Sequence, residues 1–200
     1  MSETGAATNL LYMVGGTQLS SAASGAQPAR EPSPDAALVE AVRRGDRESF
    51  GRLYDLYAPM VHGILLARVP WGEVDDLVQD VFLVAFKRIH TLREAGAFGG
   101  WLAMIARNRA VDFHRRKRET EELPDDLAQR SSADPEAAEA LALIRALPEA
   151  YRETLVLRLV EGMTGPEIAE RTGLTPASVR VNLHRGMKLL REKLGMEKQS

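Results

Sequence analysis

The residues best suited to chemistry lie on a predicted helix that begins at Pro176, near the carboxyl end of the 200-residue chain. Its apolar positions, Val179, Leu183 and Met187, recur at the spacing of one helix face. Arginine suits guanine, asparagine suits adenine, and a valine methyl can touch thymine. The face opposite the apolar one carries these residue types: Ser178, Arg180, Val181, Asn182, His184 and Arg185. The pattern predicts a surface that reads base edges in a DNA major groove, and a solvated basic face is the alternative.

A shorter predicted helix precedes this one, and the turn between them favours DNA binding. Thr164 to Glu167 has the spacing of a capping box. Arg171 to Leu174 is a tight glycine-containing turn, after which Thr175 caps the helix that Pro176 opens. In a helix–turn–helix motif the first helix braces the second, and the second lies in the groove. An ordinary helical hairpin is the alternative.

A basic segment with interleaved aromatic residues runs from Phe98 to Arg118. It carries six basic residues against one acid, which gives a net charge of +5. Positive charge attracts phosphate whatever the sequence, and aromatic and amide side chains hold unstacked bases. Arginines at a helix end can also simply complement the helix dipole. We interpret the run from Arg115 to Arg118 as binding nucleic acid, whereas Trp101 is better explained as a core residue.

Acidic residues cluster at the start of another predicted helix, whose apolar stripe runs from Leu77 to Ile89 and includes Phe86. The polar members of this start are Glu73, Asp75, Asp76, Gln79 and Asp80. Asp76 and Asp80 are one turn apart on a single face. Such carboxylates could bind a metal, exchange protons or contact a basic partner. The spacing alone favours a solvated start that complements the helix dipole.

Composition argues against an enzyme and against a membrane protein. The chain has no cysteine, and its four histidines show no metal-ligand spacing. It has neither a glycine-rich phosphate loop nor a nucleophile elbow, so we predict no catalytic site, metal or cofactor. No apolar run approaches the length of a membrane span, and the amino terminus is a poor secretion signal. A cytoplasmic location without membrane insertion is expected.

Helical periodicity throughout predicts an all-α chain with two small domains on a flexible acidic linker. The predicted organisation is a tail over 1–35, a first domain over 36–118, a linker over 119–136, a second domain over 137–195 and a short tail over 196–200. Residues 119–139 carry eight acids against one arginine, a net charge of −7, although the whole chain is only at −2. A solvated tether is the simpler interpretation. The alternative is that this linker covers a basic surface in the free protein.

Four segments, taken in order, resemble the sigma-70 family of bacterial transcription initiation factors, and most closely its small extracytoplasmic-function (ECF) group. They are AVRRGDRESFGRLYDLY (41–57), DDLVQDVFLVAFKRI (75–89), FGGWLAMIARNRAVDFHRRKR (98–118) and LPEAYRETLVLRLVEGMTGPEIAERTGLTPASVRVNLHRGMKLLREKL (147–194). The resemblance implies a region 2 helical bundle followed by a region 4 helix–turn–helix. It also implies a non-enzymatic subunit that redirects core RNA polymerase to particular promoters.

The resemblance assigns expected roles to single residues. Asp76, Gln79 and Asp80 are expected to bind the basic clamp coiled coil of the largest polymerase subunit, and the second domain to bind the flap. The loop after Thr91 and the helix through Trp101 are expected to melt the minus-ten element and capture a flipped base. The residues implicated there are Leu92, Asn108, Arg109, Arg115 and Arg116. The helix–turn–helix is expected to read the minus-thirty-five element.

Two departures from the family pattern and two other functions remain open. Val181-Asn182 replaces a common Ser-Arg pair, and Arg93 to Phe98 lacks a common Gly-Asp-Ser run, so both promoter preferences are unassigned. Members of the ECF group are usually controlled by an anti-sigma factor, often anchored in the membrane, and we expect such a partner here. The other functions are a stand-alone helix–turn–helix regulator, which binds duplex DNA without polymerase, and a recombinase or transposase.

Overall fold

The computed structural model describes residues 34–120 and 135–195, and within these ranges every regular element is helical. The all-α prediction is therefore confirmed. The α-helices are α1 (Pro34–Arg43), α2 (Arg47–Leu66), α3 (Val74–Arg88), α4 (Phe98–Thr120), α5 (Pro135–Arg145), α6 (Glu149–Leu159), α7 (Gly165–Thr172) and α8 (Pro176–Lys193). Single 3-10 turns cover Trp71–Glu73, Ile89–Thr91 and Ala95–Ala97. No helix in the described ranges is long and apolar enough to cross a membrane.

The starts of several helices are set by capping side chains. The Asp46 carboxylate accepts hydrogen bonds from the amides of Glu48 and Ser49 at the start of α2. Thr164 and Glu167 form the reciprocal capping box of α7. These side chains satisfy amide groups that have no partner inside the helix.

Tertiary packing sets two further helix ends. Helix α4 begins at Phe98. The Phe98 ring is fully buried and lies edge-on to Tyr57, with ring centroids 5.2 Å apart, so packing holds the glycine-rich first turn in a helix. Helix α2 ends at Leu66, four residues before Pro70. The Arg145 guanidinium donates two hydrogen bonds to the Leu66 carbonyl oxygen, at 3.0 and 2.8 Å. A carbonyl group at the end of a helix has no partner inside the helix, so these bonds stabilise the early end of α2.

Helices α1 to α4 form one bundle and α5 to α8 form another, and the two bundles pack against each other. In the first, α2, α3 and α4 contact one another around a core rich in Leu, Val and Ile. In the second, α6 and α8 make the main contact. Helices α6 and α7 then lie against α2 and α4, so the buried side chains of both bundles form one continuous core. The predicted tail, up to residue 33, and most of the predicted linker, 121–134, lie outside the described residues.

Candidate nucleic-acid interface

Helix α8 presents the predicted base-reading face to solvent. Thr175 caps its first turn by accepting from the Ser178 amide at 3.1 Å, and Val179 is buried on the inner side. Gly186 lets the helix approach α6 closely, because a Cβ there would lie 3.0 Å from Leu155. Of the predicted contact residues only Asn182 is half-buried. The others are exposed: Ser178, Arg180, Val181, His184 and Arg185.

Helix α7 and the turn after it hold α8 in place. The Thr172 hydroxyl donates to the Ile168 carbonyl at 2.5 Å, and Gly173 ends α7 in the left-handed region at φ +75°. A side chain at this φ would be strained, so glycine suits the sharp change of direction. The predicted helix–turn–helix is therefore confirmed as a local structure.

Helix α4 carries a second outward stripe, and sequence reasoning identified only part of it. The core side of α4 is built from Leu102, Ala103, Ala106 and Ala110. The stripe facing away consists of Met104, Asn108, Val111 and Arg115, and all four are exposed. Met104 is 52% exposed and Val111 64%, although both are apolar. Their spacing from Asn108, at four and three residues, was the signal available in the sequence.

The basic residues of α4 differ in their exposure and in their contacts within the protein. Arg115 forms an exposed ion pair with Asp112 at 3.0 Å, and Arg116 donates to the Asp112 carbonyl at 3.4 Å. Arg109 is half-buried. Trp101 is also half-buried and packs against Phe98, with ring centroids 5.9 Å apart, which supports the core interpretation of this residue.

Leu92, in the loop before α4, lies in the core. Its side chain is 7% exposed, and its carbonyl oxygen accepts from the Arg43 guanidinium. The neighbouring Arg93 and Glu94 are exposed. A contact between the Leu92 side chain and a base would therefore require this loop to rearrange.

The acidic start of α3 is an open surface. Asp76, Gln79 and Asp80 are all exposed, and Leu83 and Phe86 continue the same face at 56% and 45% exposure. Phe86 belongs to the apolar stripe predicted for this helix, but it is not buried. Its ring instead lies at the surface, edge-on to Phe50, with ring centroids 4.9 Å apart. The face is therefore acidic at one end and apolar at the other, a combination suited to binding another protein.

Within the described ranges no three histidine, aspartate or glutamate side chains come together as metal ligands would.

Both halves of the chain match known protein families. Residues 53–120 match sigma-70 region 2, and residues 137–190 match sigma-70 region 4. RNA polymerase sigma factor CarQ of Myxococcus xanthus is 32% identical over 78% of this chain and 95% of its own length. ECF RNA polymerase sigma factor SigD of Mycobacterium tuberculosis is 33% identical over 80% of this chain and 83% of its own length.

Solved structures show the same arrangement of helices. CnrH, solved with the cytosolic domain of CnrY, superposes with a TM-score of 0.59 at 25% identity, covering 82% of this chain and 99% of CnrH. RpoE of Bartonella quintana, solved with the anti-sigma factor NepR, has a TM-score of 0.52 at 20% identity, covering 76% of this chain and 99% of RpoE. The second likeness concerns the fold alone.

Proposed function

The chain belongs to the ECF group of the sigma-70 family, and from this premise we propose which of its surfaces bind core RNA polymerase and promoter DNA. As a sigma factor it serves promoter-specific transcription initiation and is not an enzyme. The observation that carries the proposal is the pair of exposed faces, one on α4 and one on α8, in a single chain. We divide the chain accordingly into a region 2 domain over 36–118 and a region 4 domain over 137–195.

The α3 surface binds the clamp coiled coil of the largest polymerase subunit. Asp76, Gln79 and Asp80 supply charge and hydrogen bonds, and the exposed Leu83 and Phe86 supply apolar area beside them. Apolar contact with a polar rim is the usual anatomy of a protein interface. Opposite charge on the coiled coil steers the encounter and fixes its register.

The outward stripe of α4 holds the opened minus-ten strand. Extruding a base costs a few kcal/mol of stacking, which contacts in the protein must offset. The Asn108 amide can hydrogen-bond a base edge, and Met104 and Val111 offer apolar surface on either side of it. Arg109 lies near the middle of the helix and Arg115 and Arg116 lie toward its carboxyl end. Their positive charge attracts the phosphates.

Helix α8 reads the minus-thirty-five duplex. Its exposed arginines, Arg180 and Arg185, can each donate two hydrogen bonds to guanine. Ser178, Asn182 and His184 provide further polar contacts, and Val181, at 40% exposure, can meet a thymine methyl. The second domain also contacts the polymerase flap.

An anti-sigma factor controls this protein. CnrH and RpoE, which share its fold, were each solved with a protein partner, and NepR is named as an anti-sigma factor. The sigma factor acts on chromosomal DNA in the cytoplasm, and a membrane-anchored anti-sigma factor would hold it at the membrane until an envelope or stress signal arrives.

Reconstitution tests this function directly. The full chain is mixed with sigma-free core polymerase and a library of promoter fragments, and transcript starts are mapped by sequencing. We expect starts at a defined distance downstream of two shared sequence elements. Tight duplex binding without polymerase-dependent starts would indicate a stand-alone regulator, and strand cleavage would indicate a recombinase.

A further inference from the structure

A buried carboxylate joins the two domains. Glu153 of α6 has a side chain only 7% exposed, and it accepts two hydrogen bonds from the Arg107 guanidinium of α4, at 3.1 and 2.7 Å. The same carboxylate pairs with Arg68, after α2, at 2.8 Å. Both arginines belong to the first domain and Glu153 to the second. The carboxylate can therefore be buried and paired only while the domains are together.

Glu153 is charged in this position. Burial acts to raise the pKa of its carboxyl, but the hydrogen bonds and charges of Arg107 and Arg68 outweigh burial and hold the pKa below its usual value. A buried charge of this kind is costly when its partner is removed. The pairing thus makes closure depend on a small number of side chains.

Further contacts between the domains surround the carboxylate. Arg145 of α5 donates to the carbonyl oxygens of Leu66, at 2.8 and 3.0 Å, and Val69, at 2.6 Å. Arg171 of α7 donates to the Leu56 carbonyl at 3.1 Å. The Leu66 and Val69 carbonyl groups lie at the end of α2 or just after it, so the second domain supplies hydrogen bonds that they would otherwise take from water.

Glycines allow the two backbones to meet. A Cβ added at Gly63 in α2 would lie 2.8 Å from Leu157 and 2.9 Å from Glu161, both in the second domain. At the start of α4, a Cβ on Gly100 would lie 3.4 Å from the Cα of Gly173. Gly173 forms the turn of the helix–turn–helix. The turn that positions α8 therefore packs on the first turn of α4.

The closed arrangement is too small to occupy both promoter elements at once. The minus-ten and minus-thirty-five elements are about 25 base pairs apart, or roughly 85 Å at about 3.4 Å per pair. A compact unit of this many residues is about 40 Å across. Binding both elements requires the domains to separate and the Glu153 pairs to break.

We propose that Glu153 is an internal latch: by pairing with Arg107 and Arg68 it keeps the free protein closed, and the closed form cannot bind a promoter. The closed arrangement of the two domains is supported by the contacts described above. Only its inhibitory consequence rests on the proposed function. The carboxylate that neutralises Arg107 and Arg68 thus belongs to a folded helix of the second domain. This pairing is separate from any covering of a basic surface by the acidic linker.

The distance between the domains in the free full-length chain tests the latch. Because the chain has no cysteine, Lys87→Cys in α3 and Lys188→Cys in α8 place one spin label in each domain. We expect one narrow distance distribution for the otherwise unchanged chain. Glu153→Gln removes the charge and Gly63→Ala inserts a methyl group between the domains, so both should give a broader and longer distribution.

Two matched controls accompany these variants. Glu48→Gln removes the same charge from an exposed Glu48–Arg52 pair inside the first domain, 3.0 Å apart. Gly51→Ala adds the same methyl group in α2 where no atom lies within 4 Å. Both controls should retain the narrow distribution. Alanine is the better helix former, so Gly63→Ala should keep α2 folded while it opens the interface.

The outcomes separate the latch from the proposed function. A broad distribution in the unchanged chain, or narrow ones in both Glu153→Gln and Gly63→Ala, would overturn the closure. If Glu153→Gln loses helicity, Gly63→Ala decides the question. In the presence of core polymerase, the opened variants should bind promoter DNA about threefold or more tightly than the unchanged chain. The reason is that a larger fraction of the protein is in the open form that can bind a promoter. Opening without that gain would refute inhibition, whereas absence of any holoenzyme would refute the function and leave the distance result intact.

Discussion

His62 of α2 and Glu161, which follows α6, face each other across the domain interface with Nδ1 and Oε1 2.7 Å apart. The pair lies beside a cleft that is also lined by Asp55 and Asp75. Trp71 lies edge-on to the imidazole, with ring centroids 6.2 Å apart. The contact joins the same two domains as Glu153 but contains a group that titrates near neutral pH.

Closure of the domains should therefore weaken as pH rises. The hydrogen bond that the imidazole donates to the Glu161 carboxylate raises the pKa of His62 against the opposing effect of burial, and the charges of Glu161 and Asp75 add to the rise. A raised pKa gives stability that is fully present below the unperturbed value of about 6.5 and is lost as pH rises through the shifted value. We expect thermal stability of the full chain to fall over this window.

His62→Gln should remove that part of the pH dependence, as measured by thermal unfolding at a series of pH values from 6 to 9. His184→Gln is the control, because His184 is exposed on α8. Equal slopes in the two variants would argue against a titrating pair at the interface.

Asp80→Arg should weaken binding to core polymerase by about tenfold or more, because it sets like charge against a basic coiled coil. The affinity of labelled full-length protein for sigma-free core polymerase measures this effect. Glu48→Arg reverses the charge of another exposed acid, on α2, and should leave the affinity nearly unchanged. Equal losses in the two variants would show a general charge effect and no α3 docking site.

Asn108→Ala should slow promoter opening by roughly tenfold while closed-complex formation changes little, since its amide is proposed to act only on an extruded base. Fluorescence of a base analogue in the minus-ten element reports opening, and a gel-shift at low temperature reports the closed complex. A template that is already unpaired at this element should restore activity. Equal loss at both steps would contradict a role in melting.

Arg180→Ala should cost about 1–3 kcal/mol of binding on the preferred minus-thirty-five sequence if the guanidinium contacts a base edge. Discrimination at one base position should be lost at the same time. Affinities of the holoenzyme for matched and substituted elements measure both effects. A uniform loss on every sequence, with a shallower salt dependence, would place Arg180 on a phosphate instead.

Much of the local structure follows directly from the sequence. Thr164 and Thr175 cap helices as predicted, and Asp46 caps α2 in the same way, because a capping side chain binds amides two or three residues away. Gly173 adopts the left-handed conformation that the turn requires. The outward face of α8 can also be predicted from the sequence, because helical periodicity alone places Val179 inside and Arg180 outside.

The exposure of single apolar residues was less predictable. Helical periodicity places Phe86 on the apolar stripe of α3, but it does not predict which residues of that stripe are covered by other helices. In the structure the Phe86 ring lies at the surface. Met104 and Val111 beside Asn108 were missed for the same reason. Their exposure depends on which neighbouring helices are present.

The amino-acid sequence by itself determined the helices, their caps and the outward faces of α4 and α8. Each of these features depends on residues within a few positions of one another. Only the tertiary structure decided that Glu153 meets Arg107 and Arg68 and that Gly100 meets Gly173. These contacts join positions 46 to 85 residues apart, and no local pattern specifies them. They form because two separately folded apolar surfaces bury each other, and a glutamate in the middle of α6 is buried only as a result.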